Sequence, residues 1–298
     1  MRTLILCACL TLGGCAGTNP AQPPLPALPP DVRADREAQL AEARAALKTN
    51  PDDIDALIWV GRRTAYLGRY YEAIEIFSRG MAKAPEDPRL FRHRGHRFLT
   101  LREFPLAEID LAEAAELIAG KPDEIEPDGL PNARGIPTST LQSNVWYHLG
   151  LARYLQGDFE GALDAYRECL KASTNPDMLV ATSHWLYMTL RRLGREEEAR
   201  QALAPIRADM DIIENRAYHR LLLLYRGELS PEDLLGAAEG DLDPPTIGYG
   251  LGNWHLYNGR RAEAVEAFRK VLAGGNWAAF GFIAAEADLK RLGESPLP

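Results

Sequence analysis

The chain is poor in the features that mark most catalytic and disulfide-framed proteins. It holds four cysteines in 298 residues, and three of them, Cys7, Cys9 and Cys15, lie before residue 16. Cys169 stands alone in the remainder, and a single thiol cannot close an internal disulfide. There is no G-x-S-x-G elbow, no H-E-x-x-H pair, no phosphate loop and no Cys–His pair around the lone thiol. Long β-branched runs are missing too, while Ala, Leu, Glu and Arg dominate, which predicts an all-α protein. A basic excess is also lacking: 34 Lys and Arg stand against 42 Asp and Glu, a formal charge of −8. That balance argues against general nucleic-acid binding. His93 and His96 are three apart but embedded in basic residues with no third ligand in sight, so no metal, cofactor or enzyme activity is expected. His148, His184, His219 and His255 are scattered singly.

What is present begins with a short segment read as a signal. Met1-Arg2 is positive, residues 3–12 are apolar, and Leu12-Gly13-Gly14-Cys15 follows. The run is too short to span a bilayer as a helix. Its L-G-G-C ending resembles the lipobox of bacterial lipoproteins, which implies cleavage before Cys15, lipidation of Cys15 and a membrane anchor. Ala16 follows the lipid site, which by the same resemblance implies the outer membrane, facing the periplasm. Residues 15–30 carry Pro20, Pro23, Pro24, Pro26, Pro29 and Pro30 and read as an extended tether, at roughly 3.1 Å per residue.

The organising stretch runs from Ile54 to Asp87. Counting from Ile54, Gly61 is eighth, Gly68 fifteenth, Ala73 twentieth, Phe77 twenty-fourth and Pro85 thirty-second. Gly61 and Ala73 suit a close approach of two antiparallel helices, Gly68 a tight turn, and Pro85 a helix end. The spacing is that of the tetratricopeptide repeat (TPR), a helix–turn–helix unit of about 34 residues. Gly95 and Ala107 repeat Gly61 and Ala73 one period later. Gly150, Gly157, Ala162 and Tyr166 mark a third unit, with Cys169 at a position that favours a small buried residue. Gly194, Gly227 and Gly259 continue the array at looser intervals. The expectation is a right-handed α-solenoid of five full or degraded units over residues 31–120 and 143–298. A half unit precedes them, and a helix from about residue 277 to 292 caps the open end. Between the two blocks, residues 121–142 form an inserted loop with four prolines. An insert this long inside a compact fold is uncommon and often functional.

Resemblance to the repeat also assigns a concave face, lined by set positions of each first helix. These positions give Arg62, Tyr66, Arg89, Arg92, His96, Asn144, Tyr147, Tyr154, His184, Arg191 and Tyr249 as partner-binding residues. Arginine can take carboxylates in a fork, and tyrosine offers apolar area with a polar tip, a mixture suited to an extended peptide. On this reading, Arg92→Ala with Tyr147→Ala weakens partner binding at unchanged melting.

A TPR array behind a lipobox is similar to the NlpI-type outer-membrane adaptor lipoproteins. Trp185-Leu186-Tyr187, the YRGELS run at 225–230 and the YGLGNWHLYNGRRAEAVEAF unit at 249–268 fall in like order. That resemblance implies an adaptor for envelope proteins, such as peptidoglycan hydrolases or a processing protease; the insert departs from it. Two other readings stay open. Asp123, Glu124, Glu126 and Asp128 of the insert offer an acid–base pair for a glycan-binding or hydrolytic protein, and a structural subunit of an envelope assembly machine fits the same array.

Overall fold

The computed structural model describes residues 23–235 and 243–295, and the signal segment and Cys15 lie outside them. Among the described residues the chain is helical, with one isolated antiparallel bridge between Ile125 and Thr140. A lone helix, α1 (Pro30–Thr49), comes first. The helix pairs α2 (Ile54–Tyr66) and α3 (Tyr70–Lys83), then α4 (Pro88–Thr100) and α5 (Phe104–Ile118), follow. After the insert come α6 (Leu141–Gln156) with α7 (Phe159–Ala172), and α8 (Pro176–Arg192) with α9 (Glu196–Ala202). The chain continues through α10 (Arg216–Tyr225) and α11 (Pro231–Leu235), then α12 (Pro244–Tyr257) and α13 (Arg261–Ala273), and finishes with α14 (Phe280–Arg291).

Local chemistry sets these boundaries. Asp53, Asp87, Asp158 and Asn175 each accept a backbone N–H in the first turn of the following helix, and Thr140 and Ser143 form a reciprocal box at the start of α6. Such caps satisfy donors that a helix start leaves free. Within a pair the helices approach closely: a Cβ at Gly61 would overlap the Phe77 ring. The turn between α2 and α3 uses Gly68 at φ +80°, whereas the turn after α4 puts Arg102 in the same left-handed region at φ +65°.

The array is an α-solenoid, as the spacing predicts, but the described residues hold six helix pairs rather than five. The additional one is α10–α11, whose second helix is described over Pro231–Leu235. The first helices α2, α4, α6, α8, α10 and α12 touch one another in succession and form the inner layer. Two departures from expectation concern the ends. In the tether, Pro26 rests on the Gly68 turn and its carbonyl accepts from Arg33, so residues 23–29 lie on the solenoid instead of standing off it. At the other end, α14 covers the last pair and also reaches across the inner layer to α6. Phe280 meets His96 of α4 and His148 of α6 with ring centroids 5.3 and 5.5 Å apart. Asp288 pairs with Arg192 of α8 at 2.8 Å, and Arg291 donates to the Leu155 carbonyl at 3.1 Å.

Candidate functional site

The inner face is not an open groove, because two segments of the chain itself occupy it. One is α14. The other is the insert, which leaves α5 and returns to α6 with its two ends tied together: Leu141 N–H donates to the Glu124 carbonyl at 2.8 Å, and Gln142 N–H to Asp123 Oδ1 at 3.0 Å. Between these ends the insert forms a strap. Its tip meets α2, where Arg63 donates to the Gly129 carbonyl at 2.7 Å. Further on, Arg134 pairs with Asp211 at 2.9 Å, Thr138 bonds Glu214, and Asn175 donates to the Thr138 carbonyl at 3.0 Å. The loop that receives these contacts is itself held by the buried Asp177 carboxylate, which accepts the N–H groups of Ile213, Glu214 and Asn215. The strap therefore spans the inner layer from the first pair to the fourth.

Under the strap, Glu126 is the buried member. It is 9% exposed and lies 3.1 Å from Arg92 Nε and 3.8 Å from His93 Nε2, and it accepts from Asn144 Nδ2 at 3.1 Å. Two further acids of the insert serve the loop: Asp123 accepts from its own turn and from Gln142, and Asp128 accepts the Leu130 N–H, whereas Glu124 is exposed. A cavity of about 220 Å³ remains between the strap, α2 and α4, lined by Arg62, Tyr66, Arg92, Arg97, Glu126 and Asn144 among others. Burial holds His93, His96 and His148 well below the ordinary imidazole range, so these rings are neutral near pH 7 and add no charge to the cavity.

Placement of the sequence-predicted residues follows from these coverings. Arg62, Tyr66, Arg92, His96 and Asn144 do converge on the cavity. Arg89 does not: it turns outward and pairs with Asp87 and Asp55, each at 2.6 Å. Tyr147, Tyr154, His184 and Tyr249 are corrections, since each is buried core rather than partner-facing surface. Tyr147 accepts from Trp185 Nε1 at 2.7 Å, while Tyr249 donates to Asp288 and accepts from the Tyr154 hydroxyl, each at 2.9 Å. His184 packs between Trp185, Tyr218 and Tyr225, and burial alone lowers it to about 3. Arg191 is half-buried over the Tyr257 ring at 4.4 Å. The coverings differ: α14 meets Tyr147, Tyr154 and Tyr249, whereas α10 covers His184 and α12 lies beside Arg191. Truncating Arg92 and Tyr147 therefore removes packing and an ion-pair partner of Glu126, and the expected unchanged melting is withdrawn. Arg97, which also lines the cavity, is missed by the positional rule. Its cue is α4 itself, whose thirteen residues carry four arginines and no carboxylate.

Cys169 is core, as its position in the repeat predicts. Its Sγ lies 3.1 Å from Thr182 Oγ1, and burial pushes the thiol up to about 12. Among the described residues no group of three or more His, Cys, Asp or Glu is placed to hold a metal ion, and no helix is long and apolar enough to cross a membrane.

Residues 143–176, nearly all of α6 and α7 with the turn that follows, match the tetratricopeptide repeat family model. This pair is a tetratricopeptide repeat. No curated protein matches the chain. Solved structures of TPR-type solenoids are similar at low identity. One is MamA AMB-1, at 20% identity with a TM-score of 0.41, covering 57% of this chain and 94% of that one. Another is the MamA RS-1 ArsTM double mutant, at 15% identity with a TM-score of 0.46, covering 66% and 90%. The third is YrrB, described as a TPR protein with an unusual peptide-binding site, at 13% identity with a TM-score of 0.45, covering 83% and 97%. In this chain the TPR inner face is covered by the strap and α14, and on that side the cavity and the outer side of the strap remain.

Proposed function

We propose that the protein is a non-enzymatic TPR scaffold, anchored through lipid on Cys15 to the outer membrane, which holds an envelope protein in the periplasm. The lipobox-like L-G-G-C run and the proline tether support the anchor, and the TPR array supports the scaffold role. One observation favours a docking surface on the strap. Of six large apolar side chains that stand exposed among the described residues, Ile125, Leu130 and Ile136 lie within this one segment. A strap pinned at its ends and along its length presents them at little entropic cost, and clustered exposed apolar groups mark interaction sites. Peptidoglycan hydrolases and a processing protease are the partner classes to test first.

The test is recovery of partners from membranes by the full chain, read by mass spectrometry, beside a variant carrying Ile125→Asp, Leu130→Asp and Ile136→Asp. These side chains are exposed, so melting should be unchanged while a specific partner is lost by roughly tenfold or more. Equal recovery by both proteins rejects the strap as the docking surface. Association of the two proteins with wall glycan, measured in parallel, addresses the glycan reading, which is weaker here because Asp123 and Asp128 are engaged in the loop and Glu126 with Arg92.

A further inference from the structure

Three guanidinium groups surround the cavity beneath the strap, and one buried carboxylate answers them. Arg62 and Arg92 are each 8% exposed. Arg62 lies over the Trp59 ring at 4.4 Å and reaches the Tyr66 hydroxyl at 3.4 Å, without an ion pair among the described residues. Arg97 lies over the Tyr70 ring at 5.8 Å and likewise has no carboxylate partner among the described residues. Arg92 is 3.1 Å from Glu126, yet its Nε finds no hydrogen bond of acceptable geometry, and His96 Nδ1 is also buried and unbonded. Burial and the neighbouring Arg92 and Arg62 lower Arg97 to about 10, against the pull of the Tyr70 and Tyr66 phenols. Asp128 and Glu214 also line the cavity, but both are exposed at its mouth, where water screens them.

Shape narrows the occupant. The Gly129 backbone lies so close over Tyr66 and Arg62 that a Cβ there would overlap the Tyr66 hydroxyl. With this roof in place an extended chain cannot run through. The volume of about 220 Å³ is below the range of roughly 300–1,000 Å³ usual for drug-sized ligands. Planar guanidinium forks match the oxygens of carboxylates and phosphates.

We propose that this cavity binds a small oxyanion, a phosphate or a short dicarboxylate, gripped by Arg62 and Arg97 while Arg92 is shared between the ligand and Glu126. The site goes beyond the scaffold reading and does not depend on it: the exposed strap variants above should leave anion binding unchanged, so either proposal can fail alone.

The experiment is calorimetric titration and thermal melting of the full chain with inorganic phosphate, with malonate and with chloride, all at constant ionic strength. A saturable response to phosphate or to malonate, absent with chloride, is expected, and the anion that produces it identifies the ligand chemistry. Arg62→Gln with Arg97→Gln should weaken that response roughly tenfold or more. Glu126→Gln, which keeps the strap's shape and releases Arg92, should tighten it several-fold, and it carries the test if the double variant fails to fold. The proposal is overturned if neither oxyanion binds saturably above chloride. Undiminished binding by the double variant, or binding unchanged or weakened by Glu126→Gln, overturns it too.

Discussion

Arg192 and Arg97 both stand on inner-layer helices and both lose most of their water, yet their surroundings differ. Around Arg192, Asp288 supplies both carboxylate oxygens at 2.8 and 3.1 Å, Asn253 accepts a further bond at 3.2 Å, and Tyr249 and Tyr154 complete the network. Burial pulls Arg192 down, but Tyr154, Asp288 and Tyr249 together raise it above the ordinary guanidinium value. Arg97 moves the other way: burial lowers it, and among the described residues no carboxylate pairs with it to offset that. The C-terminal half thus uses buried charge to fix α14 against three first helices. The N-terminal half leaves buried charge under-paired around a cavity. Structural charge is neutralised within the chain, and charge meant for a ligand is not.

Acid should expose this contrast most strongly. His93, His96 and His148 are held well below the ordinary value and His184 at about 3, whereas unfolded imidazoles titrate near 6.5. The unfolded chain therefore binds protons that the folded chain refuses. Their contribution to stability is full above about pH 6.5 and is lost as pH falls from there toward the folded values, by about 1.4 kcal/mol per unit for each ring. Between pH 7 and pH 5 the melting temperature should drop by more than about 10 °C. Three of the four rings belong to α4 and α6, so hydrogen exchange should rise there before it rises in α12. A flat profile would mean that the cavity half accepts cations without strain.

Asp288→Ala comes next. It strands Arg192 and removes an acceptor from Tyr249, and breaking a buried pair in this way costs about 3–5 kcal/mol. Denaturant melts should show this loss, and α14 should lose exchange protection first. A cost under about 1 kcal/mol would contradict the structural role given to this network.

Arg102 links the two halves, and a smaller effect is expected there. Its guanidinium lies over the Trp277 ring at 3.7 Å and pairs with Glu286 at 2.7 Å, joining the second helix pair to the approach of α14. Its backbone meanwhile holds the left-handed conformation that glycine holds after α2. Arg102→Ala loses the link and keeps the strain, so a cost of about 2 kcal/mol is expected. Arg102→Gly loses the same link but relieves about 1 kcal/mol of strain, and should be the more stable variant in thermal melts. The reverse order would show that the strain is not felt.

Much of the repeat architecture was legible because its signals are local. Gly68, Gly157, Gly194, Gly227 and Gly259 all take positive φ at turns. Gly61 meets Phe77 as the spacing requires, and the α6–α7 pair carries the repeat's full pattern. The closure of the inner face was not legible. An apolar helix after the last unit looks the same in sequence whether it caps an end or crosses the interior. The contacts that decide it, such as Arg192 with Asp288, join residues nearly a hundred positions apart. Tyr154 and Tyr249 satisfy the positional rule for the inner face, and α14 then covers them. Glu126 is likewise indistinguishable from Asp123, Glu124 and Asp128 until the strap folds and buries one of the four.

The smallest expected effect is the most discriminating. Arg97→Gln and Arg192→Gln make the same chemical change on the same kind of helix. At Arg192 the change leaves Asp288, almost fully buried, with Arg291 as its one remaining ion-pair partner among the described residues, so about 2 kcal/mol or more should be lost. At Arg97 it removes a cation that no carboxylate neutralises and relieves repulsion from Arg92 and Arg62. The variant should therefore melt within about 0.5 kcal/mol of the parent chain, or above it, when measured in chloride alone. Adding the oxyanion that fills the cavity should reverse this order, because only the parent chain gains stability by mass action. If Arg97→Gln is as damaging as Arg192→Gln without any oxyanion, then Arg97 is structural, and the contrast between the two halves dissolves.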